Sequence, residues 1–359
     1  MAIQIGGGIT IGGNITITNN TTVLAVGSTN SSPPITVYTF ESGSGFGTKY
    51  SNPGTAPPSG IYGVAFSPAG DAIAAASPNS PYIVAYQWHP TNGFGSKYSD
   101  PDTLPAAQGL SIAFNPAGGA VAVATVGSPF VAAYPWNSST GFGSKYSNSG
   151  NAPAGQCNGV AFNSTGGAIA VAHYNSPYVS AYPWSNTTGF GTKYGDPATL
   201  PSTRGEAVAF SPAGNALAVA HNASPYVTAY PWNDSTGFGT KYTNPVTIPT
   251  NIARGIAFSP AGDALAVSYA ASPWINVYAW SAATGFGSKY SDPAIPATSA
   301  AGYGVAFSPA GDAISTVTAS ATSPYVDAWP WSSATGFGTK YANPTTLPPG
   351  GLRCVAFGD

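Results

Sequence analysis

The sequence predicts an all-β fold, a closed β-propeller of seven four-stranded blades. Two repeated motifs predict it. Gly-Phe-Gly-(Thr/Ser)-Lys-Tyr occurs seven times, first at Gly45 and last at Gly336. A second motif, close to Gly-Val-Ala-Phe, also occurs seven times, and its Phe is Phe66 in the first copy and Phe357 in the last. A period of about 48 residues between strand-like segments is typical of propeller blades.

One repeat, residues 62–98, divides into four predicted strands. Aromatic, small apolar and β-branched residues fill these segments, and turn residues such as Pro68 and Gly70 separate them. No apolar spacing of three to four residues, which would indicate a helix, occurs in the repeat. The predicted strands are 63–66 (A), 72–76 (B), 82–88 (C) and 94–98 (D).

The two ends of the chain each carry part of one blade. The first repeat begins with a B-type strand, residues 23–26, and has no strand A. The last segment, residues 353–357, is a strand A with nothing after it to complete a blade. Pairing of these two segments would close the ring and remove a free sheet edge. We therefore expect a propeller over residues 22–359 and a separate segment over residues 1–21.

The repeat resembles the WD40-like family. The resemblance rests on Phe-Ser-Pro-Ala-Gly-Asp, then a small apolar strand and a Tyr-x-Trp strand, and it extends over residues 22–359. The Gly-His and Trp-Asp pairs of strict WD repeats are missing, so roles that need those side chains do not carry over. The resemblance implies that strand A is innermost. Cys157 and Cys354 then lie three blades apart, too far to form a disulfide, and both are expected to be free thiols.

Charge is scarce in this chain. Charged residues make up 6% of the sequence, and the net charge is −2. This composition gives no electrostatic reason to expect a nucleic-acid partner. No apolar run approaches the roughly 18 to 20 residues of a membrane-spanning helix, and the N-terminus lacks a basic region followed by an apolar stretch. We therefore expect neither nucleic-acid binding nor membrane insertion.

Comparison of the seven copies separates constant from variable positions. The A–B turn and the Gly-Phe-Gly motif barely change, whereas the B–C loop and the residue four before the strand-A Phe vary freely. Because successive strands reverse direction, both variable regions belong to one face, where loops on a rigid scaffold commonly bind ligands. The alternative explanation for the variation is sequence drift at positions that packing does not constrain. The candidate ligand-binding residues are Tyr62, Asn158, Arg204, Glu206, Arg254, Tyr303, Arg353, His173, Tyr174 and His221.

Sequence motifs for catalysis and metal binding are missing. The three histidines are solitary, no Cys-x-x-Cys occurs, and no phosphate-binding or dinucleotide motif is present. Glu206 is the only carboxylate predicted at the channel mouth, whereas glycoside hydrolysis needs two. We therefore expect no catalytic residue, no metal and no cofactor. A propeller enzyme such as a glycosidase or lyase ranks third among the possible functions.

The N-terminal segment has a period of six residues. Its isoleucines all have odd numbers, which places them on one face of an extended strand. Such a strand needs a partner, either a second copy of itself or the sheet edge of another protein. We interpret the segment as an assembly strand through Ile3, Ile5, Ile9, Ile11, Ile15 and Ile17.

The Gly-Gly-Gly-Ile-Thr-Ile sequence of this segment resembles N-terminal segments of tailed-phage virion proteins. That resemblance implies a non-enzymatic virion structural protein, either a tail-fibre or adhesin subunit or a capsid decoration subunit. It would be made in the host cytoplasm and located in the extracellular particle. The N-terminal strand would bind other virion proteins or itself, and the variable face would bind a host glycan or receptor. The alternative function is a soluble protein–protein interaction scaffold.

Overall fold

A computed structural model describes residues 22–29, 32–58, 60–294, 301–319 and 325–359. These residues form seven four-stranded antiparallel sheets. Within each sheet the strands follow the order A, B, C, D. The A strands of adjacent blades contact one another all the way round, so they surround a central channel. The predicted all-β, seven-bladed propeller is confirmed.

Blade 1 contains both ends of the propeller, and blades 2 to 7 follow in chain order. The strands of blades 1 to 4 are β28 (Leu352–Gly358), β1 (Val23–Ser28), β2 (Ile35–Glu41), β3 (Gly45–Lys49); β4 (Gly63–Phe66), β5 (Ala72–Ala76), β6 (Ile83–His89), β7 (Gly93–Lys97); β8 (Gly109–Phe114), β9 (Ala120–Thr125), β10 (Val131–Asn137), β11 (Gly141–Phe142); β12 (Cys157–Phe162), β13 (Ala168–His173), β14 (Val179–Ser185), β15 (Gly189–Phe190). Those of blades 5 to 7 are β16 (Gly205–Phe210), β17 (Ala216–His221), β18 (Val227–Asn233), β19 (Gly237–Phe238); β20 (Ala253–Phe258), β21 (Ala264–Tyr269), β22 (Ile275–Ser281), β23 (Gly285–Lys289); β24 (Gly302–Phe307), β25 (Ala313–Thr318), β26 (Val326–Ser332), β27 (Gly336–Phe337).

The C-terminal strand closes the ring, as the split motif order predicts. β28 pairs antiparallel with β1, with Leu24 opposite Phe357 and Val26 opposite Val355. Leu24 and Val26 are fully buried, so this pairing also covers part of the core. Closure gives blade 1 its strand A, so the inner edge of β1 is paired.

The constant Gly-Phe-Gly motif joins each blade to the next. Its final Tyr packs edge-on against a strand-C aromatic residue of the following blade, which is Phe40 in blade 1 and a Trp elsewhere, as in Tyr98 and Trp136, whose ring centroids are 5.0 Å apart. Its first Gly has a positive φ, and a Cβ on Gly141 would lie 2.9 Å from Tyr98. The Phe of the next copy packs edge-on against the same Trp, with 5.2 Å between the Phe142 and Trp136 centroids. The motif is therefore constant because residues of two successive copies meet in one inter-blade contact.

A hydrogen bond completes this contact in every blade. The Tyr hydroxyl donates to a backbone carbonyl in the C–D turn of the next blade, including the seam between blades 7 and 1. The seven donor–acceptor pairs are Tyr50–Pro90, Tyr98–Ser138, Tyr146–Asn186, Tyr194–Asp234, Tyr242–Ala282, Tyr290–Ser333 and Tyr341–Ser42.

The sequence also predicts the state of the two cysteines and a role for the N-terminal segment. Cys157 and Cys354 are free, as the blade assignment predicts, and burial raises the pKa of both thiols. The proposed assembly strand, with its isoleucines at positions 3 to 17, lies outside the described residues. Within the described ranges, no helix has the length and hydropathy needed to cross a membrane.

Candidate functional site

The seven A strands begin at one opening of the channel, and their first residues line a cavity there. We call this cavity the channel mouth. Its volume is about 370 Å³, and its lining is polar on one side and rich in arginine on the other. The lining residues are Tyr62, Leu110, Asn158, Arg204, Glu206, Ile252, Arg254, Tyr303 and Arg353.

A β-bulge in strand A explains why these residues are available to the mouth. In blade 5 the pairing with β17 shifts between Gly205 and Ala207, so Glu206 has no partner in the ladder. The same shift skips Arg254 in blade 6 and Arg353 in blade 1. A bulge commonly re-aims a side chain in this way. The position that the sequence comparison singled out as variable is therefore the bulge residue.

One half of the mouth, in blades 4 and 5, is a hydrogen-bonded polar group, which we call the carboxylate half. Glu206 Oε1 lies 2.7 Å from Arg204 Nε, and the Glu206 side chain is 17% exposed. Asn158 Nδ2 donates to the Gly205 carbonyl at 2.9 Å and lies 3.5 Å from Glu206 Oε2. Asn222, oriented with its amide oxygen toward Arg204, accepts from Nε at 2.9 Å and from Nη2 at 2.6 Å. These contacts fix the Glu206 carboxylate at the cavity wall.

The charge of Glu206 also acts on Arg204. Burial lowers the pKa of Arg204, but the carboxylate of Glu206 and its hydrogen bond outweigh burial, and the pKa of Arg204 is raised overall. The Arg204 side chain is still 34% exposed. It therefore remains a cation whose remaining N–H groups can reach a ligand in the mouth.

The other half, in blades 6, 7 and 1, is cationic, and we call it the arginine half. Arg254 Cζ lies 4.1 Å from the centroid of the Tyr303 ring, and Arg353 Cζ lies 4.0 Å from the same centroid. Arg353 Nε is buried and has no hydrogen-bond partner within the described ranges. Over those ranges neither arginine forms an ion pair with a carboxylate. The lining thus combines three cations with one carboxylate.

Seven of the sequence-predicted ligand residues therefore line one cavity: Tyr62, Asn158, Arg204, Glu206, Arg254, Tyr303 and Arg353. Tyr174 lies just outside it. Its ring is 5.0 Å from Arg204 Cζ, and it is 48% exposed. Tyr174 thus belongs to the outer edge of the mouth.

The assignment of His173 and His221 to an exposed loop is wrong. They are the last residues of β13 and β17, because strand B is one residue longer in these blades than in blade 2. Both are fully buried, and their Nε2 atoms lie 3.0 Å from Ser180 Oγ and 2.9 Å from Thr228 Oγ1, respectively. Burial lowers the pKa of each to about 4. They stay neutral near pH 7 and do not face the mouth.

Three residues of the site were missed by sequence reasoning. Leu110 and Ile252 line the mouth, and Asn222 contacts Arg204. Ile252 stands two residues before a bulge residue, as Arg204 stands before Glu206, so the spacing could have identified it. Asn222 belongs to a variable B–C loop, but composition gave no sign of its contact. No group of three His, Cys, Asp or Glu side chains suited to a metal occurs in the described part of the chain.

The fold is similar to that of several solved propellers. A candidate 6-phosphogluconolactonase from Bacteroides uniformis has a TM-score of 0.73 at 14% identity, covering 94% of this chain and 100% of that chain. A candidate 6-phosphogluconolactonase from Bacteroides fragilis has a TM-score of 0.74 at 13% identity, covering 96% and 100%. The periplasmic gluconolactonase of Pseudomonas aeruginosa has a TM-score of 0.70 at 16% identity, covering 94% and 98%. No protein-family model and no curated protein matches this chain.

These neighbours correct the function expected from the sequence. The expectation of a non-enzymatic virion structural protein is wrong, because these three proteins, which share the ring over nearly its whole length, are named as lactonases, which are enzymes. None of the comparisons supports the phage resemblance of the N-terminal segment or membership of the WD40 family. At 13 to 16% identity, these structural similarities establish the fold alone.

Proposed function

We propose that this protein is a lactone hydrolase whose active site is the channel mouth. The observation that carries the proposal is the Glu206 carboxylate, fixed by Arg204 and Asn158 at the wall of a cavity that can hold a small cyclic ester. Full-length similarity to the named lactonases supports the reaction class. The resemblance of the repeats to WD40-like sequences adds no residue role.

The chemistry of ester opening suits a mouth with a single carboxylate. Glycoside hydrolysis needs two carboxyl groups on opposite sides of the bond, but among the described residues Glu206 is the only acidic one that lines this cavity. Opening a lactone needs one general base for the attacking water and a positive group for the oxyanion. Glu206 and Arg204 supply one of each.

The reaction can be written with these two residues. Glu206 accepts a proton from water as the water oxygen attacks the lactone carbonyl carbon, and the carbonyl electron pair moves to the oxygen. The free N–H groups of Arg204 stabilise this oxyanion. When the carbonyl re-forms, the ring C–O bond breaks, and the leaving oxygen takes the proton back from Glu206. The product is the open-chain hydroxy acid.

The test is hydrolysis of glucono-1,5-lactone, followed by acid release above the spontaneous rate. We expect catalysis by the natural protein and a loss of about 100-fold or more in Glu206→Gln, which keeps the shape of the side chain but cannot accept a proton at neutral pH. Glu41→Gln is the matched control, since Glu41 is the other glutamate of the chain and lies exposed at the end of β2. Equal rates in the two variants, or no catalysis by the natural protein with any lactone, would contradict the proposal.

A further inference from the structure

The cations of this protein differ in how they are partnered. Each of the seven lysines donates to the Asn or Asp three residues further along the chain. Arg204 has Glu206 as its partner at 2.7 Å. Arg254 and Arg353 form no ion pair with a carboxylate within the described ranges. The positive charge that has no carboxylate or amide partner therefore lies in the arginine half of the mouth.

The Tyr303 ring brings these two arginines together. Both guanidinium carbons lie about 4 Å from its centroid, so they are no more than about 8 Å from each other. The ring attracts both cations through its negative face, but it carries no net charge. Two like charges this close repel each other, and an anion that contacts both relieves the repulsion.

An unused hydrogen-bond donor is present at the same place. Arg353 Nε is buried without an acceptor in the described part of the chain, although buried donors are nearly always paired. The Arg353 side chain also belongs to the lining of the cavity. A donor of this kind beside an open cavity indicates an acceptor supplied by a ligand.

The reaction written above changes the charge of its ligand. A lactone without an ionised substituent is neutral, whereas the open-chain hydroxy acid carries a carboxylate near pH 7. This carboxylate forms beside Glu206, which is itself a carboxylate again once it has returned its proton. The two negative charges repel each other there, and Arg204 already shares its charge with Glu206. The carboxylate half therefore favours the neutral lactone, and the arginine half favours the product anion.

We propose that Arg254 and Arg353 form a subsite for the carboxylate of the open-chain hydroxy acid, and that the product retained there inhibits the enzyme. This role, which rests on the proposed function, uses one guanidinium fork for two parallel hydrogen bonds to the carboxylate oxygens and the second arginine as a further cation. Hydrolysis then slows as the hydroxy acid accumulates. Continued turnover depends on a following reaction that consumes the hydroxy acid.

Two probes that differ at one carbon test the subsite without catalysis. Gluconate carries a carboxylate where glucitol carries a neutral hydroxymethyl group. We expect titration calorimetry to give a Kd for gluconate at least about tenfold lower than for glucitol, because a hydrogen bond to a charged group typically changes affinity by this factor. The gluconate affinity should also fall with added salt. Equal Kd values for the two probes would overturn the proposal.

Variants locate the carboxylate. Arg254→Gln and Arg353→Gln should each raise the Kd of gluconate by about tenfold or more, toward the Kd of glucitol. Each variant is a test by itself, so one suffices if the other does not fold. Lys49→Gln is the control for lost charge, since Lys49 lies on the outer strand of blade 1 and donates to the neutral Asn52 at 2.7 Å. Unchanged gluconate affinity in the folded arginine variants would place the carboxylate elsewhere and reject the subsite.

Inhibition of hydrolysis separates this proposal from the proposed function. We expect gluconate to compete with glucono-1,5-lactone, with an inhibition constant close to its Kd, and glucitol to inhibit at least about tenfold more weakly. Gluconate-selective binding by a protein that hydrolyses no lactone would reject the hydrolase and keep the carboxylate subsite. Hydrolysis that gluconate and glucitol inhibit equally would reject the subsite and keep the hydrolase.

Discussion

The outer rim and the channel mouth are built from the same seven repeats, yet they differ in what the repeats do. At the rim, each copy makes the same kind of contact: a Tyr packs on a strand-C aromatic residue of the next blade, a Trp in six blades and Phe40 in blade 1, and its hydroxyl donates to a backbone carbonyl. At the mouth, the equivalent bulge residue is Leu110, Asn158, Glu206, Arg254 or Arg353, according to the blade. Packing against the neighbouring blade keeps the rim residues the same in every copy. The mouth residues face a cavity instead of a neighbouring blade, so the seven copies can carry different side chains on the same backbone.

The largest effect is expected from opening the ring. Deletion of residues 352–359 removes β28 and uncovers both the edge of β1 and the buried Leu24. We expect the truncated protein to aggregate or to lose its cooperative unfolding transition. Size-exclusion chromatography with thermal melting measures this, and deletion of Asp359 alone is the control. A monomeric truncated protein with a melting temperature close to that of the full chain would show that closure is not needed.

The next effect concerns the two buried histidines. Their pKa in the folded protein is about 4, below the ordinary value of 6.5, so the unfolded chain binds more protons between these pH values. The free energy of unfolding should therefore fall as pH drops from 6.5 to 4, by about 2 to 3 kcal/mol for each histidine. Chemical denaturation at several pH values measures it.

A double variant isolates this effect. Threonine stands at the equivalent position in blade 3, as Thr125. His173→Thr with His221→Thr should flatten the pH dependence over this window. An unchanged slope in the double variant would assign the acid sensitivity to other groups.

A loss of stability smaller than that from the two histidines together is expected from the motif glycines. Gly45 has a φ of 83°, and a Cβ there would lie 2.6 Å from the Cβ of Tyr341. Gly45→Ala should lower the free energy of unfolding by about 2 to 4 kcal/mol, through the left-handed backbone and the clash together. Gly43, two residues earlier in the same turn, has no atom within 4 Å of an added Cβ. If Gly43→Ala and Gly45→Ala melt alike, the inter-blade contact does not explain the constant motif.

The sequence predicted the ring, its closure and the location of the mouth, since all three depend on the order and period of the motifs. It also identified seven of the lining residues, six by their shared repeat position and Arg204 by its place two residues before Glu206. The bulge that re-aims them, the contact of Asn222 with Arg204 and the burial of His173 depend on how strands A and B pair, which one-residue differences decide. The proposed reaction class could not be predicted, because a single glutamate on a repeat scaffold matches no catalytic motif.

This division of roles gives the rim the stability of the fold and the mouth the proposed hydrolysis. It is tested most directly by measuring melting temperature and lactone hydrolysis on the same preparations of Tyr290→Phe and Glu206→Gln. Tyr290→Phe removes the 2.7 Å hydrogen bond to the Ser333 carbonyl and should cost about 1 kcal/mol of stability with activity retained. Glu206→Gln should abolish hydrolysis with the melting temperature nearly unchanged. Loss of both properties in one variant, or hydrolysis that persists in Glu206→Gln, would contradict the account.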